Sequence, residues 1–294
     1  MSFHLVHRYL GTAAVAVVAV VASLAVGCTS DAPEPSEPVR PAIPYTMIWS
    51  AAEGIDLQKR AAELVRATVD GGAMAAWAGV KHSFPGYAEA VANVRVYNSF
   101  WGTPRQPPSP DDVRVFVNNV FYRQIATLRV TDTRISARIC TLERAIKPHW
   151  SPSPGPVIGS FIGYADPRTV DVELVKLPDA SSGTAGQRDT RPDRHHPAGR
   201  NQPSWNVFGN WRIDAVYNLF GLDRNDNLTN IYGSEPECVA WWHQLFPGWS
   251  GTSGLTFGPP NAPTDQWSWY NQIALDPPAP PSFPEWISPK GVDA

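Results

Sequence analysis

Residues 120–141 read VFYRQIATLRVTDTRISARICT. Val120, Tyr122, Gln124, Ala126, Leu128 and Val130 alternate with Arg123, Thr127 and Arg129. A period of two predicts a strand with one apolar and one polar face. Thr131-Asp132 predicts a turn, after which Ile135, Ala137, Ile139 and Thr141 alternate with Arg134, Ser136, Arg138 and Cys140. The same period recurs at 170–177, with Val170, Val172 and Leu174 opposite Asp171 and Glu173. It recurs again at 205–217, with Trp211, Ile213, Ala215 and Tyr217 opposite Arg212 and Asp214. Four such patterns predict an antiparallel sheet with one face on a core and one in water. Arg and Asp/Glu side chains on the wet face would pair across strands, so their plainest reading is a solvated charged surface rather than an anion site.

Working outward toward the N-terminus, Asp56 is a plausible N-cap, followed by Leu57, Ala61, Leu64, Val65 and Thr68 at helical spacing. The helix can continue past Gly71-Gly72 to Trp77. Ser83, Pro85 and Tyr87 to Val91 predict a second, short helix, since Pro is tolerated early in a helix. Residues 28–44 are rich in Pro and polar side chains and predict an extended tether. Before them, His4, His7 and Arg8 precede an uncharged run of 18 residues from Leu10 to Gly27, and then Cys28. A weakly positive start, an apolar run and small residues before a cut form the pattern of a secretory signal.

The sequence Leu24-Ala25-Val26-Gly27-Cys28 resembles the bacterial lipobox. That resemblance implies acylation of Cys28, removal of residues 1–27 and a cell-membrane location on the extracytoplasmic side. Ala25 departs from the Leu usual in that motif. The alternatives are an ordinary signal peptide and an uncleaved anchor helix, and all three readings place the remaining chain outside the cytoplasm. The whole chain also resembles the secreted lipoproteins of mycobacteria and related actinobacteria.

The three Cys then take on meaning. With Cys28 lipidated, Cys140 and Cys238 remain, and in an oxidising compartment such a pair predicts a disulfide, with two buried free thiols as the alternative. The formal net charge is −3, and charged residues are 17% of the chain. No basic excess points to nucleic acid.

Residues 178–203 hold Arg188, Asp189, Arg191, Asp193, Arg194, His195, His196 and Arg200, with nothing to build a core, and predict a mobile surface loop. From residue 219 the chain carries Trp241, Trp242, Trp249, Trp267, Trp269 and Trp286 among many Gly and Pro, with a short helix predicted at Pro236–Phe246. Aromatics without periodicity predict a wrapping extension packed onto a domain, stapled by Cys140–Cys238. The expected organisation is therefore a signal at 1–27, a tether at 28–44, an α+β domain at 45–218 and a Trp/Pro-rich irregular extension at 219–294.

Two helices followed by a sheet ending Gly209-Asn210-Trp211-Arg212-Ile213 resemble the cone-shaped, cystatin-like fold of nuclear transport factor and ketosteroid isomerase relatives, over roughly residues 50–218. The resemblance implies N-terminal helices packed on a curved antiparallel sheet, with a small apolar pocket. Tyr122, Gln124, Trp211 and Tyr217 are the candidate lining, with a core Gln satisfied by backbone or water as the plainer reading of Gln124. Such a pocket would suit a non-catalytic binding or scaffold lipoprotein that takes an apolar ligand or an envelope protein. The alternative is an enzyme of the isomerase type, which would need a carboxylate aimed inward. Strand parity sends Asp171, Glu173 and Asp214 outward instead. No catalytic residue, cofactor or metal site is expected. Asp223 to Asn227 begins like a calcium loop, but Leu228 stands at its glycine position and Ser234 at its last ligand position. The adjacent His195 and His196 lack an evident third ligand.

Overall fold

The computed structural model describes residues 45–92, 119–145, 167–178, 183–217, 235–247, 251, 278 and 280–291, all within one compact unit. In chain order the elements are β1 (Tyr45–Ala51), α1 (Arg60–Ala78), a single 3-10 turn (Val80–His82), α2 (Tyr87–Ala90), β2 (Asn119–Val130), β3 (Arg134–Ala145), β4 (Arg168–Lys176), β5 (Gly199–Arg200), β6 (Trp211–Tyr217), α3 (Pro236–Leu245) and β7 (Trp286–Ile287). Cys28, the signal and tether segments, the Asp223–Asn227 motif, Trp249, Trp267 and Trp269 lie outside the described residues.

The fold is α+β. Its main sheet has the order β1-β2-β3-β4-β6, and it is mixed rather than antiparallel. The hairpin β2–β3 and the pairs β3–β4 and β4–β6 are antiparallel, as the alternation predicts. β1, which shows no clear period between the Pro-rich segment and the helix, runs parallel to β2. Its chain passes through α1 before returning to β2, the kind of crossover that a parallel pair requires.

Two bulges change which side chains face which layer. In β2 the register slips between Ile125 and Thr127, and an extra residue reverses the parity of everything beyond it. Phe121 and Ile125 thus pack with α1, as does Leu128 past the bulge. Tyr122 and Ala126 join a second cluster with α3 on the other face. The uniform assignment of Tyr122, Gln124 and Ala126 to the core face, and of Arg123 to water, is therefore corrected: Arg123 points inward and is 5% exposed. In β6 the slip falls between the partners of Glu173 and Leu174. Trp211, Ile213 and Val216 consequently share the α1-side core, while Tyr217 stands opposite Asp171 on the outer face.

α1 begins at Arg60 rather than just after Asp56. Asp56 instead closes the preceding turn, its Oδ1 accepting from the Gln58 backbone N–H at 2.9 Å. The helix runs through Gly71-Gly72 because a neighbour needs the space. A Cβ on Gly71 would lie 2.6 Å from the Tyr87 ring. Ser83 Oγ donates to the Gly71 carbonyl at 2.6 Å. These contacts seat α2 against α1.

The segment 183–210 is packed rather than loose. Trp205, Val207 and Phe208 belong to the main core, and Asp189 is fully buried. The strap is held because its backbone bonds to two partners at once. Gly186 N–H donates to Glu63 of α1 at 2.6 Å, and Gln187 N–H donates to the Ile287 carbonyl at 2.9 Å. The C-terminal segment in turn covers the open edge of β1. Trp49 N–H donates to the Phe283 carbonyl at 2.7 Å, and Phe283 N–H to the Met47 carbonyl at 2.8 Å. An exposed strand edge is thereby covered.

The outer face carries the expected charge pairs at Arg138–Asp171, with bonds of 2.9 and 3.0 Å, and at Arg134–Asp214. It is not wholly wet, however. α3 lies against it, burying Cys140, Leu142, Cys238, Trp241 and Trp242.

Candidate functional site

Along α1, Glu63, Arg66 and Asp70 recur at three- and four-residue steps and so share one side of the helix. That side would normally face water. Here β1, the strap and the C-terminal segment cover it, and the three residues are 6%, 4% and 0% exposed. A run of buried polar residues therefore passes through the middle of the molecule.

At its inner end Asp70 Oδ1 accepts from Arg123 Nη1, and Oδ2 accepts from the Trp49 indole at 3.0 Å. Burial pushes the Asp70 carboxyl up, against the pull of Arg123 and Arg66. Arg66 comes next. Its Nη2 donates to the Pro284 carbonyl at 3.0 Å, and its guanidinium lies 4.5 Å from the centre of the Trp286 ring, a cation–π contact. Burial lowers the Arg66 pKa, opposed by Asp70, Glu63 and Asp189. Its Nε has no hydrogen-bond partner.

At the outer end Glu63 Oε2 accepts from Arg60 at 2.7 Å, and its Oε1 from Gly186 N–H. Asp189 Oδ1 accepts from Arg191 N–H at 3.0 Å, and Oδ2 from Glu285 N–H at 2.8 Å. Glu285 Oε1 lies 2.6 Å from His195 Nδ1, and Oε2 accepts from the His196 N–H. Gln58 and the Asp189 backbone exchange two bonds. A cleft of about 10 Å³ sits between these groups, lined by Glu63, Arg66, Gln187, Trp205, Glu285 and Trp286. Its size suits one water molecule.

Chemically, the network is a brace. Every oxygen of Asp70, Glu63, Asp189 and Glu285 is engaged by a fixed group. Buried polar groups connected in this way hold elements in unique positions. At the rim of this network the His195 side chain is 72% exposed while Glu285 grips its Nδ1. Among the described residues no three His, Cys, Asp or Glu side chains gather to hold a metal ion.

Cys140 and Cys238 form a disulfide with Cα atoms 5.2 Å apart, joining β3 to α3. The four candidate pocket residues do not meet. Trp211 is in the α1-side core. Tyr122 packs with α3 and Arg144 on the opposite face, and burial raises its pKa while Arg144 lowers it. Gln124 stands opposite Cys140 on that outer face, and Tyr217 opposite Asp171. The residues missed from sequence were Glu63, Arg66, Asp70, Arg123, Asp189 and Glu285. The spacing of the first three was the available signal, but helical charge rows ordinarily face solvent.

No protein-family model, curated protein or solved structure matches this chain.

Proposed function

We propose that the protein is an exported lipoprotein, held to the outer face of a membrane through Cys28, with a scaffold role that presents a surface to another envelope component. The observation that carries the scaffold reading is the division of the candidate pocket. Trp211 is spent in the core beneath α1, while Tyr122, Gln124 and Tyr217 stand on the other side of the sheet. The cleft at the polar brace holds about 10 Å³, too little for an apolar ligand. The disulfide, which closes a separation of 98 residues, suits an oxidising compartment and so supports export. No described helix is long and apolar enough to cross a membrane. The resemblance to the nuclear transport factor cone belongs to the same reading, supported by α1 packing on one face of a five-strand sheet.

Two measurements test this. Cys28→Ser should abolish labelling by a fatty-acid probe and release or misprocess the protein; unchanged labelling and membrane retention would refute the anchor. Native mass spectrometry of the purified protein should give the mass of the chain alone. A co-purifying lipid would replace the scaffold reading with that of a carrier.

One observation favours the isomerase-type or other enzyme reading: the buried Glu285 carboxylate orients the exposed His195 ring, an arrangement that prepares a general base. It lacks a described pocket in which that base would meet a substrate.

A further inference from the structure

The strap places a row of cations on the surface and buries Asp189. Arg194 and Arg200 are exposed and Arg191 is partly exposed, as is Lys290 fully, just beyond β7. None of the four has a carboxylate partner among the described residues. His195 stands among them in sequence, 72% exposed. Of the acids in the same segment, Asp189 is fully buried and satisfied, leaving Asp193 exposed. Glu285 is buried beneath the histidines. Arg188 is paired with Asp56 at 3.0 Å. Asp189 and Glu285 thus fasten the strap, while the cations and Asp193 face water.

The backbone that carries these cations is fixed. Gln58 and Asp189 exchange hydrogen bonds, Gly199 and Arg200 pair with Ile287 and Trp286, and Glu285 holds the backbone of His196. The fit at Gly199 is close, since a Cβ there would lie 2.0 Å from Glu285. A cationic row on a fixed backbone loses less entropy on binding than the same residues on a free loop.

The row is spread along ten residues and does not converge on a pocket. The nearest cleft, lined by Glu63, Arg66 and Glu285, has room for about one water molecule and not for a phosphate group. The complementary partner therefore has repeated charges rather than one. Three of the four cations are guanidinium groups, whose geometry matches phosphate oxygens in pairs. The large apolar side chains exposed among the described residues, Val130 at the end of β2 and Leu177 just after β4, are not on the strap. The strap accordingly exposes no large apolar side chain with which to enter a bilayer. We propose that residues 191–200, with Lys290, form a docking surface for an anionic polymer bearing phosphate groups, whether or not Cys28 carries a lipid.

The probe is fluorescently labelled long-chain inorganic polyphosphate, titrated into the purified full chain and read by anisotropy. Binding should weaken steeply with salt, as expected when cations release counterions from a polyanion. Replacing Arg191, Arg194 and Arg200 together by Gln should weaken it by about tenfold or more at low salt. The Arg→Lys triple, which keeps the charge but not the paired donors, should bind more weakly than the parent and more tightly than the Gln triple, which separates lost charge from lost fold. A charge-matched control, Lys81→Gln with Arg129→Gln and Lys176→Gln, should bind like the parent. Equal losses in the control and the strap variant would overturn the proposal, as would absence of binding to the parent at low salt. Binding to vesicles of anionic lipid without binding to polyphosphate would also overturn it, in favour of a membrane surface.

Discussion

Asp70 is fully buried on α1, with Arg123 on one oxygen and the Trp49 indole on the other. An ion pair so placed gives little net stability, because desolvating both charges cancels most of their attraction, but removing one partner leaves a buried charge alone. Arg123→Met should therefore destabilise the fold by about 3–5 kcal/mol. The double variant Asp70→Leu with Arg123→Met should recover most of that loss. Urea unfolding of the two singles and the double gives the coupling; additive losses would show that the pair is not acting as a unit. Asp56 behaves differently. The Gln58 N–H and then Arg188 hold its carboxyl below the usual carboxylate range. A folded value below the unfolded one means the contribution is present above about pH 4 and is lost as pH falls through the folded value. Protection of the amides at Arg188 and its neighbours, measured relative to the intrinsic exchange rate at each pH, should fall below pH 4 in the parent. In Asp56→Asn that protection should already be low at pH 6 and change little on acidification.

At the scale of the elements, two joints decide the arrangement of the sheet. The bulge in β2 turns Arg123 toward α1 and Tyr122 toward α3. The disulfide then fixes α3 to the face that Tyr122 occupies. Beside it the Trp242 indole donates to the Thr141 carbonyl at 3.2 Å, and Glu235 accepts from Thr169 at 2.6 Å. Replacing Cys140 and Cys238 together by Ala should cost about 2–5 kcal/mol. Hydrogen exchange should rise first in α3, since its remaining hold on the sheet is local. A global rise with α3 still protected would show that the bond braces the whole chain rather than one element.

Across the molecule, Trp286 joins three pieces of chain that are remote in sequence. Its ring meets Phe84 and Trp205 edge-on, with centroids 5.6 and 6.1 Å away, and lies under Arg66. Trp286→Ala should destabilise by about 3–5 kcal/mol and loosen the strap and β1 together. Thermal melting with exchange mapping checks this; loosening confined to residues 280–291 would contradict it. The hairpin, β4, α1 beyond its first turn, α3 and the Cys140–Cys238 pair were legible in the sequence because each follows from local period, caps or a count of cysteines. β1 was not legible, since its pairing partner lies beyond α1. The strap was misread for a related reason. Arg, Asp and His in a segment ordinarily mean solvent, and only long-range contacts to Gln58, Glu63 and Glu285 hold the strap down and bury Asp189. By itself, then, the sequence determined the alternation of the strands, the helical stripe and the cysteine arithmetic, all matters of near neighbours. The tertiary structure decided the faces of Tyr122, Gln124, Arg123 and Tyr217 and the burial of the polar brace. A one-residue bulge reverses a strand's faces with no mark in its period, and a charge is buried or exposed according to what the distant chain lays over it.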